Sequence, residues 1–396
     1  FGQAAKTTHP EKDCLMPRRE AEGEWIQGWP ERRRSQPFSR KDEQGRLTYQ
    51  RTPYWEQQGP LTPTDLRYVV AQLQMPDPVD PADWALQVTG LVRSPLRVTL
   101  DDLQALPSHT VRMVHECSGS DAQFFEPYEN DQPTRYDLSQ PHTGSASSGE
   151  FTGISLRTLL DEAGIDPTAV ALLARGFDRG TPGEWATGGA HAVPEEINYE
   201  KALPLAKALD PDTILAWGLN GEYLRHVHGG PVRLIVPGWS GNWSVKWLDH
   251  LDLLAEMPRL YYQDEYFFYA QSAEDEDREP ITTMGVRCVI TDPLDGDTPR
   301  PAGPISIHGL AWSGEGAIVG VEVSTDGGET WGPAELATPT DRWLWRRWTY
   351  RCHLPAGSYT VMARATDEAG RVQPQTPWNV LRKNYDGIWP MTVQVR

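Results

Sequence analysis

From about residue 285 to the end the chain changes rhythm, and that change constrains its fold more than any other feature. Segments 286–290, 305–312, 318–324, 343–354, 358–366 and 391–395 are short, apolar and β-branched, with Asp326-Gly327-Gly328 as a tight-turn signal and no long helical pattern. Short strands at regular spacing, punctuated by turn residues, have few ways to bury their apolar faces. An immunoglobulin-like β-sandwich over 285–396 is the expected one. The run Glu274-Asp-Glu-Asp-Arg-Glu-Pro280 ahead of it reads as a charged, proline-terminated linker, placed at 274–284.

Upstream the pattern is mixed. A chain of 396 residues exceeds one ordinary core, so a second domain is expected, and 35 Gly with 34 Pro favour a β-rich one over a helical bundle. Residues 84–92 and 96–100 read as strands, and Asp101-Asp102 as the cap of a short helix ending before Pro107. Residues 155–164 predict an amphipathic helix stopped by Gly164, and 169–177 a buried strand. A further helix is expected within 194–207, acids in its first turn, then strands over 213–219 and 229–237, with 239–254 continuing the sheet. Residues 121–148 read as a surface insertion and 1–60 as an irregular arm holding Trp25, Trp29 and Trp55. The expected whole is an α+β domain over 61–273 followed by the sandwich.

The formal net charge of −18 excludes a nucleic-acid partner, because no basic stripe exists to neutralise phosphates. An acidic surface instead favours encounter with a basic protein. Cys14, Cys117, Cys288 and Cys352 form no CxxC or CxxCH pair, which excludes a zinc knuckle and a covalently attached c-type haem. Cys288 and Cys352 are available to pair within the C-terminal region, and the sequence leaves that open. No apolar run approaches the roughly 20 residues needed to span a bilayer. The chain opens at Phe1 rather than Met, which leaves room for a targeting segment ahead of it.

Two stretches carry chemistry. Val111-Arg-Met-Val-His115-Glu-Cys117-Ser-Gly-Ser120 reads as a strand that delivers a cysteine into a turn of small residues, where backbone can approach a large ligand closely. The run from His226 to Leu248 gathers His226, His228, Arg233 and Lys246 with several glycines around one strand. Fixed positive charge beside bare backbone suits an anionic, hydrogen-bond-rich ligand. Neither GxGxxG nor GxxxxGK[ST] occurs, so a nucleotide fold is not indicated.

These stretches, with Gly153-Ile-Ser-Leu-Arg-Thr-Leu-Leu-Asp-Glu-Ala-Gly164, Leu219-Asn-Gly-Glu222, His228-Gly-Gly-Pro-Val-Arg233, Ser244-Val-Lys-Trp-Leu248, Gly309-Leu-Ala-Trp-Ser313 and Val372-Gln-Pro374, resemble the sulfite oxidase family of molybdopterin enzymes from about Leu61 onward. The variant Pro237-Gly-Trp-Ser-Gly-Asn242 resembles the bacterial sulfane dehydrogenase and sulfite dehydrogenase molybdenum subunits. The resemblance implies a molybdenum–molybdopterin cofactor, with Cys117 as the metal's thiolate ligand. It implies pterin contacts at Tyr68, Asp178, His228, Arg233, Ser244 and Lys246, and a substrate-facing tyrosine at Tyr266. It also implies a dimerisation role for the sandwich, a homodimer, a periplasmic location and, since no haem domain is encoded, a separate c-type cytochrome as electron acceptor.

Departures from the family pattern fall at Val70 and Gln72, where an arginine and a histidine are usual, and at Ala122, near which an arginine is usual. The missing arginines count against sulfite itself and weaken one pterin contact; Arg342 is the candidate to restore a positive charge from the second domain. The expected activity is oxidation of a reduced sulfur compound, sulfite or a protein-bound sulfane or thiosulfate sulfur, with oxygen from water. The rivals are a molybdopterin reductase of a sulfoxide or oxyanion, a cofactor-free scaffold subunit, and a secreted adhesin.

Overall fold

The computed structural model describes residues 39–57, 59–120, 143–182, 194–270, 278–294, 297–338, 341–374 and 383–396. Cys14, Trp25, Trp29, Ala122, most of the 121–148 insertion and the acidic run 274–277 lie outside the described residues.

Two five-stranded sheets build the first unit. One runs Ile197–Pro204, Ala171–Gly180, Leu248–Leu254, Ala85–Gly90, Leu96–Thr99, and only its Leu248–Leu254 and Ala85–Gly90 pair is parallel. The other sets Glu222–Tyr223, Ile214–Leu219, Ala146–Ser155 and His109–Glu116 side by side, with Arg233–Ile235 also pairing to Ile214–Leu219. Ile214–Leu219 is buried along its whole length, which is why it reads as a continuous apolar run instead of an alternating one. Among the described residues the α-helices are Leu100–Ala105, Leu156–Ala163 and Leu205–Ala208, none longer than 8 residues. The unit is therefore mostly sheet with few helices, a smaller helical share than the α+β expectation.

Two local readings change. The first helix is capped by Thr99, whose side chain accepts from Asp102 N–H while the Asp102 carboxylate accepts from Thr99 N–H; Asp101 and Asp102 are inside the helix. The helix expected within 194–207 is instead the strand Ile197–Pro204 followed by a four-residue helix. Its inward positions include Tyr199, Lys201 and Leu203, and the charge of Lys201 broke the apolar alternation. Lys201 is fully buried, donates from Nζ to Tyr262 O at 2.6 Å and lies 4.6 Å from the Trp243 ring centroid.

All six C-terminal segments are strands. Arg287–Asp292, Gly303–Trp312, Arg346–Leu354 and Glu335–Leu336 form one sheet; Gly332–Pro333, Ile318–Ser324, Gly357–Asp367 and Met391–Val395 form the facing one. Inward residues such as Ile307, Val321, Val361 and Val393 make the shared core. Cys288 and Cys352 are both free thiols, because the strand Gly303–Trp312 lies between the strands that carry them.

The two units share contacts rather than merely a connection. Val114 N–H donates to Trp343 O at 2.8 Å, and Tyr54, Val114 and Ala146 pack with Leu310, Trp312 and Trp345. The 278–284 part of the expected linker is packed: Ile281 is fully buried, its carbonyl accepts from Trp243 Nε1 at 2.6 Å, and Met284 N–H donates to Gly238 O at 3.0 Å.

Close strand approach generates a test. A Cβ on Gly153 would sit 1.9 Å from Leu215 O across the Ala146–Ser155 and Ile214–Leu219 pair. Gly153→Ala should destabilise by about 1–3 kcal/mol, as overpacking does elsewhere. Thermal melts followed by circular dichroism should show a clear downward shift; an unchanged midpoint would contradict this packing.

Candidate functional site

The His109–Glu116 strand ends in the turn that presents Cys117, and three parts of the chain hold that turn. Cys117 N–H donates to Ser145 O at 2.8 Å, Ser120 N–H to Cys117 O at 2.9 Å, and Gly119 N lies 3.4 Å from Cys117 Sγ. Ser118 Oγ lies 2.6 Å from Ser240 Oγ and accepts from Asn242 Nδ2, which ties the turn to the 237–242 loop. Ser118 O accepts from Asn384 N–H of the second unit. Just before the cysteine, buried Glu116 accepts from Trp312 Nε1 at 2.7 Å and meets Arg287 Nη1 at 3.4 Å.

A cavity opens beside Cys117. It brings together Tyr68, Cys117, Asp178, Arg233, Ser244 and Lys246, six of the residues singled out from sequence. Val70 and Gln72, the departures from the family pattern, line it too. Tyr199, Gly241 and Asn242 complete the wall and were not singled out. Asn242 sat inside a quoted motif, whereas Tyr199 was hidden in the stretch misread as a helix.

Three expected site residues lie elsewhere. His228 is buried but lines a smaller neighbouring pocket with Gln50, Asp65 and Arg225, and its carbonyl accepts from Arg233 Nη1 at 3.0 Å. Tyr266 is buried against Tyr262 and Phe267 and does not line the cavity. Arg342 is 59% exposed, pairs with Glu368 at 3.3 Å and stacks on Trp343, so it brings no charge to the cavity.

The cavity's electrostatics follow from burial. Arg233 donates from Nε to Ser244 O at 2.9 Å and lies with Nη2 3.2 Å from His115 Nε2. A guanidinium only donates, so His115 Nε2 accepts and the ring proton belongs on Nδ1, 3.2 Å from the Tyr68 hydroxyl. Burial, then the Arg233 and Arg67 charges, hold His115 well below the ordinary histidine value, so it is neutral. Tyr68 Oη accepts from it and keeps its own proton to donate. Burial also pushes the Cys117 thiol up, opposed by Gly119 N–H and then by the charge of Lys383.

Deep in the cavity burial pushes Asp178 up to about 7 and pulls Lys246 down to about 7, with the nearby Arg233 charge adding to the latter. Asp178 Oδ1, Asn242 Oδ1 and Lys246 Nζ are buried and make no hydrogen bond among the described residues. Buried polar groups are rarely left so, and here they share one wall. Gly241 adds bare backbone, since a Cβ there would lie 2.5 Å from Tyr68 Oη. A soft thiol at one end and unsatisfied donors and acceptors along the wall fit a flat heterocycle with N–H groups, negative charge and a thiophilic metal.

Residues 72–262 match the family described as oxidoreductase molybdopterin binding domain, and residues 278–395 the one described as Mo-co oxidoreductase dimerisation domain. Sulfite oxidase of Gallus gallus is 30% identical over 345 residues, which cover 81% of this chain and 70% of that protein. Mitochondrial sulfite oxidase of Homo sapiens is 32% identical over 350 residues, covering 83% of this chain and 60% of that protein. Nitrate reductase (NADH) 1 of Phaseolus vulgaris is 32% identical over 360 residues, 83% of this chain and 39% of that protein. The chain thus spans about 60% of the length of the mitochondrial sulfite oxidases it matches. The solved structure of the sulfane dehydrogenase SoxCD from Paracoccus pantotrophus superposes with a TM-score of 0.75 at 26% identity, over 98% of this chain and 97% of that one.

Asp178 Oδ1 and Lys246 Nζ, buried without a hydrogen bond among the described residues, give a second test. In ligand-free protein the double variant Asp178→Asn, Lys246→Met should melt higher, by about 1–4 kcal/mol of stability, because buried charge is replaced by neutral side chains. Molybdenum retained after purification should fall at the same time. A lower melting point, or full metal retention, would contradict a wall built for a ligand.

Proposed function

This chain belongs to the sulfite oxidase family of molybdopterin oxidoreductases, and from that premise we propose that it oxidises a reduced sulfur compound with oxygen from water. The substrate is sulfite or a protein-bound sulfane or thiosulfate sulfur, and two protons and two electrons leave per oxygen inserted. The observation that carries the reading is the buried Cys117 facing a cavity whose wall holds three unsatisfied polar groups. A cofactor-free scaffold subunit has no use for such a wall.

The family's molybdenum–molybdopterin cofactor, when bound, supplies two-electron oxygen-atom transfer at a sulfur centre. Cys117 would be its thiolate ligand, since a soft donor suits a metal that changes oxidation state. Asp178 and Asn242 would accept from ring N–H groups, and Lys246 with Ser244 and Tyr68 would donate to the anionic and carbonyl parts. Arg233 fixes His115 and the Ser244 carbonyl, so that Tyr68 is oriented before any ligand arrives. His228 acts through the backbone it offers Arg233.

Val70 and Gln72 favour the sulfane side of the substrate range. They line the cavity without charge, and the likeness to a sulfane dehydrogenase extends over nearly the whole chain. The reductase reading draws on the nitrate reductase likeness and would be favoured if reduced carriers, but no oxidised ones, supported turnover. We divide the chain into the cofactor domain at 61–273 and the sandwich at 285–396, joined through 274–284, and assign the sandwich to a homodimer contact, consistent with its family description. No helix among the described residues is long and apolar enough to cross a membrane, and we place the reaction in the periplasm. The net charge of −18 suits electron delivery to a basic c-type cytochrome.

Two outcomes test this reading. Cys117→Ser should keep its circular dichroism spectrum and lose activity by more than about 100-fold, beyond the usual cost of removing an outer partner of a metal site; retained activity would refute the assignment. With a sulfite, thiosulfate and protein-sulfane panel and cytochrome c as acceptor, second-order reduction of the cytochrome should slow as salt rises through the range where the screening length falls below about 10 Å. A salt-insensitive rate would remove the steering.

A further inference from the structure

The loop over 237–242 meets the cysteine turn through a chain of hydroxyls whose direction the geometry fixes. Ser240 Oγ donates to Glu116 O at 3.3 Å and lies 2.6 Å from Ser118 Oγ, which in turn accepts from Asn242 Nδ2. A carbonyl only accepts, so the Ser240 proton is committed to Glu116. Two hydroxyl oxygens 2.6 Å apart need a proton between them, and that proton belongs to Ser118. With its own proton given away, Ser118 can only accept from the amide. Asn242 therefore turns Nδ2 to Ser118 and Oδ1 to the cavity it lines, where Oδ1 is buried without a hydrogen bond among the described residues. Both ends of the chain are anchored. Ser240 N–H donates to Thr282 O at 2.7 Å, and Asn242 O accepts from the Tyr199 hydroxyl at 2.7 Å.

Resting on the cofactor contact assigned to Asn242 above, we propose that Ser118 and Ser240 are positioning residues for molybdopterin: their hydroxyl relay sets the polarity of the Asn242 amide, so that a ring N–H entering the cavity meets an acceptor. An amide without such a constraint offers either end, and the wrong end would set N–H against N–H. Neither serine lines the cavity, and both are buried. Their contribution is therefore indirect, as an outer partner's is to a ligand it orients. Ser118 follows Cys117 directly, so one chain of hydrogen bonds couples the direction of the acceptor to the turn that carries the thiol. Setting the amide in advance spares the ligand the cost of ordering it on binding.

The test is cofactor retention, read as molybdenum and pterin per chain while holoenzyme is dialysed, independently of turnover. Ser240→Ala releases the Ser118 proton to the amide oxygen and lets the amide turn. Molybdenum loss should then quicken about tenfold, within the range for removing an outer partner of a metal site. Asn242→Leu should lose metal to a similar degree, and adding Ser240→Ala to it should cost nothing more, because no amide is left to turn. Asn242→Asp offers an oxygen whichever way it turns, so retention in that background should be insensitive to Ser240→Ala. Full retention in Ser240→Ala or in Asn242→Leu would overturn the proposal. So would losses that add in either double variant, which mark a packing role for Ser240. If loaded wild-type enzyme oxidises no sulfur compound while retention still depends on Ser240 through Asn242, the relay stands and the reaction assignment falls. Normal turnover with retention indifferent to Ser240 does the reverse.

Discussion

The contact on which the arrangement depends is buried Glu116, set between the Arg287 guanidinium and the Trp312 indole. It joins the last residue of the cysteine strand to the first sheet of the sandwich. A buried carboxylate is costly by itself, and removing one partner of such a pair typically costs about 3–5 kcal/mol. The pair therefore specifies position more than it adds stability. With Val114 hydrogen-bonded to Trp343 and Ser118 to Asn384, it leaves the Cys117 turn little freedom to move.

Against that fixed turn the cavity is deliberately unfinished. Tyr68, His115 and Arg233 satisfy one another, so their orientation is set in advance. Asp178, Asn242 and Lys246 are left open on the same wall. The contrast separates residues that position from residues that await a ligand. It also marks where local stability was given up, as functional sites commonly do.

Legibility in the sequence followed how local the signal was. The sandwich strands could be read because alternation and turn residues are short-range, and Gly327 and Gly328 do adopt the positive φ their turn requires. Cys117, Asp178 and Lys246 could be read because their neighbours form recognisable motifs. Tyr199 could not, since buried Lys201 gave its strand a polar inward position that only cation–π contacts and a distant carbonyl explain. Thr99 was overlooked as a cap because two carboxylates follow it closely. Arg342 read as a charge the second domain could bring to the site; that it instead faces solvent beside Glu368 depends on how the second unit packs, and no local pattern encodes that.

The strap from Ile281 to Met284, threaded under Trp243 and Gly238, has a consequence for how such a chain changes over generations. Its two halves are not exchangeable modules. A recombination event that grafted a foreign sandwich after residue 280 would discard Arg287, Trp312 and Asn384, and with them the supports of a turn encoded far upstream. A graft that kept the cysteine turn in place would therefore have to carry these supports with it, and a foreign domain is better joined at either end of the pair than between its members.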